Sequence, residues 1–189
     1  MTKQKTFAVL LVTLLIGCFC SVLPAVHGTF VARAGDAGTA TAKTVKEERL
    51  TDLSCWTDVA STAMANEFSR ELDTVIHVSF RMMWDETALY VLVETDDASV
   101  DTWDQIEFAY TNGSANGYFK ASMLPDNGTR WTESIGDLMT SVALADFSAD
   151  GKRYLLTRHV LSDKTALGTG KTVVVNAVYW DFNGSHASV

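Results

Sequence analysis

A period-two alternation of apolar and polar side chains most constrains the fold of this 189-residue chain. In residues 76–84 (IHVSFRMMW) the five side chains at even-numbered positions are apolar. The odd-numbered positions are polar, except for Met83. Because successive side chains of a strand point to opposite faces, those five share one face. Residues 89–94 (LYVLVE) follow after the turn Asp85-Glu86-Thr87. The two segments therefore predict a β-hairpin.

Similar alternation occurs along the rest of the chain. It predicts a third strand over 104–110, a loop over 112–117, a fourth strand over 118–123, and late strands over 153–160 and 172–181. Residues 132–142 and the region around 58–68 favour helix. No βαβ alternation, internal repeat or heptad pattern occurs. Short strands, tight turns and few helices predict an all-β, immunoglobulin-like antiparallel β-sandwich with one or two short helices.

The N-terminus has the pattern of a secretory signal. Lys3 and Lys5 precede the apolar run FAVLLVTLLIG, which has the length of a signal-peptide core and is too short to span a bilayer comfortably. The motif LIGC fits a lipoprotein signal that leaves a lipidated Cys18, whereas VHG before Thr29 allows conventional cleavage. An uncleaved membrane anchor is the third alternative. All three predict an extracytoplasmic domain that is secreted, periplasmic or attached to the cell surface.

Three segments are predicted in sequence order. Residues 1–28 form the signal, residues 29–50 a flexible linker of small and polar side chains, and residues 51–189 one ligand-binding β-sandwich domain. The first segment contains two lysines and no acidic residue, so its removal changes the net charge from -8 to -10. This charge argues against nucleic acid or an anionic membrane surface as a partner.

Enzyme chemistry has no support in the sequence. Cys55 is alone outside the signal region, which excludes an internal disulfide, a zinc–cysteine cluster and a CxxCH haem attachment. No GxSxG or HExxH motif is present. Acidic pairs such as Asp101/Asp104 are typical of turns. A structural calcium at residues 94–97 (ETDD) is one alternative use of clustered oxygen ligands.

The tryptophans indicate a binding site more clearly. Trp84 ends the apolar face of its strand and is predicted to be a core residue. Trp103, Trp131 and Trp180 fall at strand ends or in loops, where aromatic rings can stack on sugars or line a flat cofactor pocket. Ordinary partial burial is the alternative for each of them.

A second set of residues suits haem. Met123 closes a strand just before Pro125, and His186 follows the turn at Asn183-Gly184. Haem iron held without covalent attachment needs two axial donors, and a thioether with an imidazole is one such pair. His159 is the alternative imidazole donor.

The first half of the domain resembles a known superfamily. The stretch RMMWDETALYVLVETDD, followed by WDQIEFAY, is similar to the opening strands of the DOMON-like β-sandwich superfamily. That group includes family 9 carbohydrate-binding modules and the haem-binding subunit of ethylbenzene dehydrogenase and related molybdoenzymes. These strands are common to both branches.

The second half is more similar to the haem branch. The segments Arg158-His159-Val160-Leu161, Leu167-Gly168-Thr169-Gly170 and VVVNAVYWDFNGSH carry this resemblance. The sequence departs from the branch at Phe182, where glycine is usual, and at His186, where the dehydrogenase subunits have lysine.

The resemblance implies an electron-transfer domain that binds haem b without covalent attachment. Met123 and His186 would be the axial ligands, and Trp180, Trp131 and Phe119 would form the apolar wall. The partner would be a redox protein or a molybdoenzyme subunit. The alternative is a family 9-like carbohydrate-binding module that binds polysaccharide through Trp103, Trp131 or Trp180. A non-catalytic interaction domain at the cell surface is the third interpretation.

Overall fold

The computed structural model is an antiparallel β-sandwich. It describes residues 30–35, 40–42, 46–64, 66–70, 76–85, 88–111, 115–162 and 174–182. The predicted signal, the segment 167–170 and the candidate ligand His186 lie outside the described residues. Among the described residues, no helix has the length and apolar character needed to cross a membrane.

One sheet, called sheet 1, is built from both ends of the chain. Its strands are β1 (Phe30–Gly35), β4 (Asn66–Arg70), β7 (Gln105–Thr111), β8 (Asn116–Ser122), β9 (Thr132–Gly136) and β12 (Val174–Phe182). Their order across the sheet is β4–β1–β12–β7–β8–β9, and neighbours are antiparallel.

The second sheet, sheet 2, is built around the predicted hairpin. Its strands are β2 (Ala40–Ala42), β3 (Ser61–Ala63), β5 (Val78–Trp84), β6 (Leu89–Thr95), β10 (Met139–Ala149) and β11 (Lys152–Leu161). The order is β10–β11–β6–β5–β2, and β3 also pairs with β5. The β2–β5 pair is parallel, whereas the other pairs are antiparallel.

The predicted strands are confirmed, and the predicted helices are wrong. Residues 132–142 form β9 and the start of β10, and the region 58–68 contributes β3 and part of β4. Cross-strand pairing explains both cases, since β9 pairs with β8 at the edge of sheet 1, while β3 pairs with β5 and β4 pairs with β1. The only helical turns among the described residues are two short 3-10 helices, Glu47–Arg49 and Leu53–Trp56.

The segment 29–50 also differs from the predicted linker. Within it, β1 lies between β12 and β4 in sheet 1, and β2 pairs with β5 in sheet 2. Small residues such as those of Ala40–Ala42 lack apolar alternation, so sequence periodicity does not detect strands of this kind.

Two apolar cores stabilise the sandwich. The larger core fills the space between the sheets with alternate side chains such as Phe80, Phe108 and Phe119, all fully buried. The smaller core lies on the outer face of sheet 2, where Trp56 and Leu50 from the two 3-10 turns cover Tyr90 and its neighbours. Each large apolar side chain buried in this way contributes roughly 1.5–3 kcal/mol.

Local contacts and backbone conformation stabilise the 3-10 turns and the β10–β11 hairpin. Asp52 caps the second 3-10 turn by accepting the Ser54 backbone N–H at 3.0 Å. Trp56 Nε1 donates to the Leu50 carbonyl at 2.9 Å, which closes the loop over sheet 2. Asp150 and Gly151 both have positive φ, 51° and 74°, as a two-residue hairpin turn between β10 and β11 requires.

Candidate functional site

The outer face of sheet 1, which points away from sheet 2, carries a pair of stacked aromatic rings. Along β12 the side chains at 175, 177, 179 and 181 are buried. Trp180 and Phe182 therefore point outward, because side chains alternate along a strand. Their ring centroids lie 6.1 Å apart with an interplanar angle of 19°. The outward side of β12 thus ends in an aromatic surface.

A row of charged side chains crosses the same face beside these rings. Glu107 on β7 is opposite Lys120 on β8, and Lys120 is opposite Glu133 on β9. Residues paired across strands share a face. Lys120 Nζ lies 2.8 Å from Glu133 Oε2. Gln105, which is opposite Trp180, donates from Nε2 to Glu107 Oε1 at 3.1 Å.

Glu107 occupies the centre of this outer face. Burial raises the pKa of its carboxyl group, while hydrogen bonding from Trp180 and Tyr118 and the charge of Lys120 act in the opposite direction. A carboxylate held between an amide, an ammonium group and aromatic side chains is well placed to accept hydrogen bonds from a polar ligand.

Trp131 and Trp103 lie at the same end of sheet 1 as Trp180. The Trp131 carbonyl accepts from the Ser122 backbone N–H at 3.2 Å, which continues β9 alongside β8. Trp131 Nε1 donates to the Thr102 carbonyl at 3.2 Å, and the adjacent Trp103 is 49% exposed. Three interstrand steps separate Trp180 from Trp131, so their backbones are about 14 Å apart.

The ring of Trp131 also contacts the charged row. Lys120 Nζ is 5.7 Å from its centroid, a cation–π distance. Trp84, in contrast, is partly buried against the core between the sheets, as the sequence predicted. Trp131 and Trp180 therefore lie on one face, and the exposed Trp103 lies in the loop beside Trp131. We call this group the aromatic face: Trp103, Trp131 and Trp180 with Gln105, Glu107 and Lys120.

A second group of functional interest is buried beside this face. One carboxylate oxygen from each of Asp97, Asp104 and Asp181 lies within 4.8 Å of the others, and all three residues are buried. We call this group the aspartate cluster. Burial raises the pKa of Asp104 to about 8 and that of Asp181 to about 6, and the neighbouring negative charges add to both shifts.

Backbone and side-chain donors satisfy part of the aspartate cluster. Asp104 accepts from the Phe182 and Asp101 backbone N–H groups, each at 2.7 Å. Tyr179 Oη donates to Asp97 Oδ2 at 3.0 Å. Asp181 Oδ2 is buried and has no hydrogen-bond partner.

The calcium ligands predicted over residues 94–97 are therefore not gathered in one place. Only Asp97 belongs to the aspartate cluster. Glu94 forms ion pairs with Arg81 and Lys152, and Asp96 forms one with His77. A strand alternates its side chains, so consecutive residues of β6 and its continuation diverge.

His159, the alternative haem ligand, lies inside the core between the sheets. Its Nδ1 is 2.7 Å from Tyr110 Oη and 2.8 Å from Ser141 Oγ, and its Nε2 is 2.8 Å from Thr157 Oγ1. We call these four residues the histidine cluster. Burial lowers the pKa of His159 to about 3, so the imidazole is neutral. Both ring nitrogens are already hydrogen-bonded.

The other proposed haem contacts do not meet on one surface. Met123 is 2% exposed within the core between the sheets, and Phe119 packs edge-on against His159 with centroids 5.4 Å apart. Trp180 and Trp131 lie on the opposite side of sheet 1. A haem that contacted both Met123 and these two tryptophans would require the core between the sheets to open. The pairing of Met123 with His186 stays a prediction, since His186 is outside the described residues.

Sequence reasoning missed the polar half of the aromatic face. Glu107, Lys120 and Gln105 occur at outward positions of otherwise alternating strands, which is where any solvent-facing polar residue would occur. Only the strand register shows that they share one row. Asp181 was missed for the same reason, because its partners Asp97 and Asp104 are distant in sequence.

Comparison with known proteins gives similarity at the level of structure. No protein-family model matches the sequence, and no curated protein matches it. Two solved structures of a family 9 carbohydrate-binding module from Caldicellulosiruptor kristjanssonii are similar to the chain. The module in complex with glucose has a TM-score of 0.51 at 16% identity, over 75% of this chain and 83% of the module. The module in complex with cellotriose has a TM-score of 0.53 at 17% identity, over 75% and 82%.

These similarities show the fold. The carbohydrate-binding branch of the predicted resemblance thus has structural counterparts, since both structures are of a family 9 carbohydrate-binding module. At 16–17% identity the likeness assigns no residue of this chain a role.

Proposed function

We propose that this domain binds carbohydrate on the aromatic face, with Trp180 as the platform for a sugar ring. The observation that carries the proposal is the row beside Trp180, where an amide, a carboxylate and an ammonium group lie on adjacent strands of one sheet face. A sugar ring has an apolar face of C–H groups and a rim of hydroxyls. Stacking on an indole together with hydrogen bonds at the rim meets both requirements.

The geometry favours a sugar over a flat, apolar cofactor. Glu107 and Lys120 lie one and two strands from Trp180, or about 5 and 10 Å across the sheet, within reach of hydroxyls on a stacked ring. Burying these charges under an apolar macrocycle would cost free energy without new hydrogen bonds. The two structural neighbours were solved with glucose and with cellotriose, which supports short glucans as first ligands to test. The predicted export signal would bring the domain to extracellular polysaccharide.

Calorimetric titration with glucose and cellotriose tests the proposal. We expect saturable binding by the wild type and an affinity about tenfold lower for Trp180→Ala, because the loss of one aromatic stacking contact corresponds to roughly 1.5 kcal/mol. Phe147→Ala is the matched control. Its ring stacks on Tyr154 at 5.0 Å on sheet 2, away from the aromatic face. Equal losses in both variants, or no binding to any glucan, would overturn the proposal.

A second variant separates hydrogen bonding from stacking. Glu107→Gln keeps the size of the side chain but removes the charge, and we expect affinity to fall about tenfold or more, since hydrogen bonds to charged groups contribute about 1.5–3 kcal/mol. Adding haemin to the same protein tests the alternative interpretation, haem binding. A Soret band that disappears in Met123→Ala would favour the haem interpretation instead.

A further inference from the structure

We propose that Asp97, Asp104 and Asp181 bind a Ca²⁺ ion that joins the last strand to the connection between β6 and β7. One oxygen from each carboxylate lies within 4.8 Å of the others, and each residue is at most 4% exposed. The site lies beside the aromatic face but shares no residue with it, and the inference does not depend on sugar binding.

The unsatisfied oxygen of Asp181 is the observation that points to a ligand. Asp181 Oδ2 is fully buried without a hydrogen-bond partner, although its carboxylate faces Asp97 and Asp104. A buried polar atom without a partner costs about 1–3 kcal/mol, and more when it is charged. Native structures rarely retain such a cost unless water or an ion satisfies the atom.

Charge balance leads to the same conclusion. The ion pairs formed between described residues include none of the three aspartates. The donors that reach these carboxylates are neutral, namely the hydroxyls of Tyr179 and Ser99 and backbone N–H groups. Several negative charges buried together repel each other and need an opposite charge nearby. A divalent cation supplies that charge and also uses the free oxygen.

The spacing suits calcium. Two oxygens bound to one Ca²⁺ at 2.3–2.6 Å are at most about 5 Å apart, which accommodates the separation in the aspartate cluster. Mg²⁺ usually keeps several of its waters, which suits a fully buried group of carboxylates less well than Ca²⁺ does. Aspartate oxygens are hard ligands, and no thiol or imidazole accompanies them, which disfavours zinc.

The cation would link the two sheets at one end of the sandwich. Asp97 follows β6 of sheet 2, Asp104 precedes β7 of sheet 1, and Asp181 is on β12. These elements come from the middle and the end of the described chain. Binding would therefore stabilise the folded state in proportion to the free Ca²⁺ concentration.

Thermal unfolding of the chelator-treated full chain is the first test. CaCl₂ at 100 times its dissociation constant should raise the midpoint by about 5 to 10 °C. Tb³⁺, which replaces Ca²⁺ at oxygen sites, should show luminescence sensitised by nearby Tyr179, and Ca²⁺ should displace it. Absence of both signals, or a larger rise with MgCl₂ than with CaCl₂, would overturn the assignment.

Substitutions then locate the ion. Asp181→Asn and Asp104→Asn should abolish the CaCl₂-dependent rise and the Tb³⁺ signal. In chelator, Asp181→Asn should unfold no earlier than the wild type, because it removes a repelling charge. Asp150→Asn, at the exposed β10–β11 turn, makes the same chemical change elsewhere and should keep the full response. Retention of the response by the cluster variants would place the ion elsewhere and overturn the proposal.

Discussion

The histidine cluster and the aspartate cluster are both polar groups enclosed by a β-sandwich, but they satisfy their polar atoms differently. In the histidine cluster, His159 has a hydroxyl within hydrogen-bond distance of each ring nitrogen. In the aspartate cluster, neutral donors reach Asp97 and Asp104, while one oxygen of Asp181 has none. Burial alone therefore does not make a functional site.

The same physical cause acts on both clusters. Loss of solvation lowers the pKa of His159 to about 3 and raises the pKa of Asp104 to about 8, since burial favours the neutral form of either group. A neutral imidazole with two hydrogen bonds is stable in an apolar core. In the aspartate cluster one oxygen of Asp181 has no donor, and none of the ion pairs between described residues includes the three aspartates, so a cation would satisfy both the free oxygen and the charge.

Acid sensitivity is the largest effect that separates the clusters. His159 is neutral in the folded protein but protonates near pH 6.5 when unfolded, so its contribution to stability is complete above pH 6.5 and is lost as the pH falls towards 3. The full loss is at most about 4–5 kcal/mol, of which about 2 kcal/mol falls between pH 6.5 and 5. Urea unfolding across this range measures it.

The His159→Gln variant isolates this contribution. Glutamine does not titrate, and its amide can keep contacts with the hydroxyls of Tyr110 and Thr157. We expect the free energy of unfolding of the variant to change less steeply with pH than that of the wild type, by about 1.4 kcal/mol per unit. Contributions from acidic residues are common to both proteins and cancel. Parallel curves would show that the histidine cluster accepts a proton without cost.

Removal of one tyrosine hydroxyl from each cluster sharpens the comparison. Tyr179→Phe deletes the donor to Asp97 at 3.0 Å and leaves a buried carboxylate with one fewer partner. Hydrogen bonds to charged groups contribute about 1.5–3 kcal/mol, so we expect a loss of this size in the free energy of unfolding. The measurement is made in chelator, so that any bound cation is absent. A loss below that of Tyr110→Phe would contradict the difference argued here.

The matching change in the histidine cluster should cost less. Tyr110→Phe deletes a hydroxyl 2.7 Å from His159 Nδ1, but Ser141 Oγ remains 2.8 Å from the same nitrogen. One neutral hydrogen bond is worth about 1 kcal/mol when its partner keeps another. Urea unfolding at pH 7 gives the value, and Ser141→Ala combined with Tyr110→Phe should exceed the sum of the two single changes.

The fold was largely predictable because strands with one buried face have alternating apolar and polar residues in sequence. The strands β5, β6, β7, β8, β11 and β12 follow that pattern. The failure at 132–142 has an identifiable cause: Ile135, Leu138, Met139 and Val142 have helical spacing. In the structure Ile135 and Val142 are exposed while Leu138 and Met139 are buried, so the spacing arises from two strands joined after Gly136. Gly136 has φ 98°, which favours glycine.

The candidate sites were predictable only in part. Exposed or half-exposed tryptophans can be identified from their positions at strand ends, and Trp131 and Trp180 were. The groups that would give them specificity, Glu107 and Lys120, depend on the register of β7 against β8. Asp181 meets Asp104 only because β12 pairs with β7. Such nonlocal pairing carries no local sequence signal.

The smallest expected effect comes from His77, which is exposed where His159 is buried. His77 lies 2.7 Å from Asp96, but their side chains are 80% and 39% exposed. Water solvates both partners whether or not they pair, so His77→Ala should change the free energy of unfolding by less than about 1 kcal/mol, and by less still at high salt. Urea unfolding at two salt concentrations, beside His159→Gln, makes the comparison. A larger loss would mean that pairing, rather than burial, determines what a histidine contributes to this sandwich.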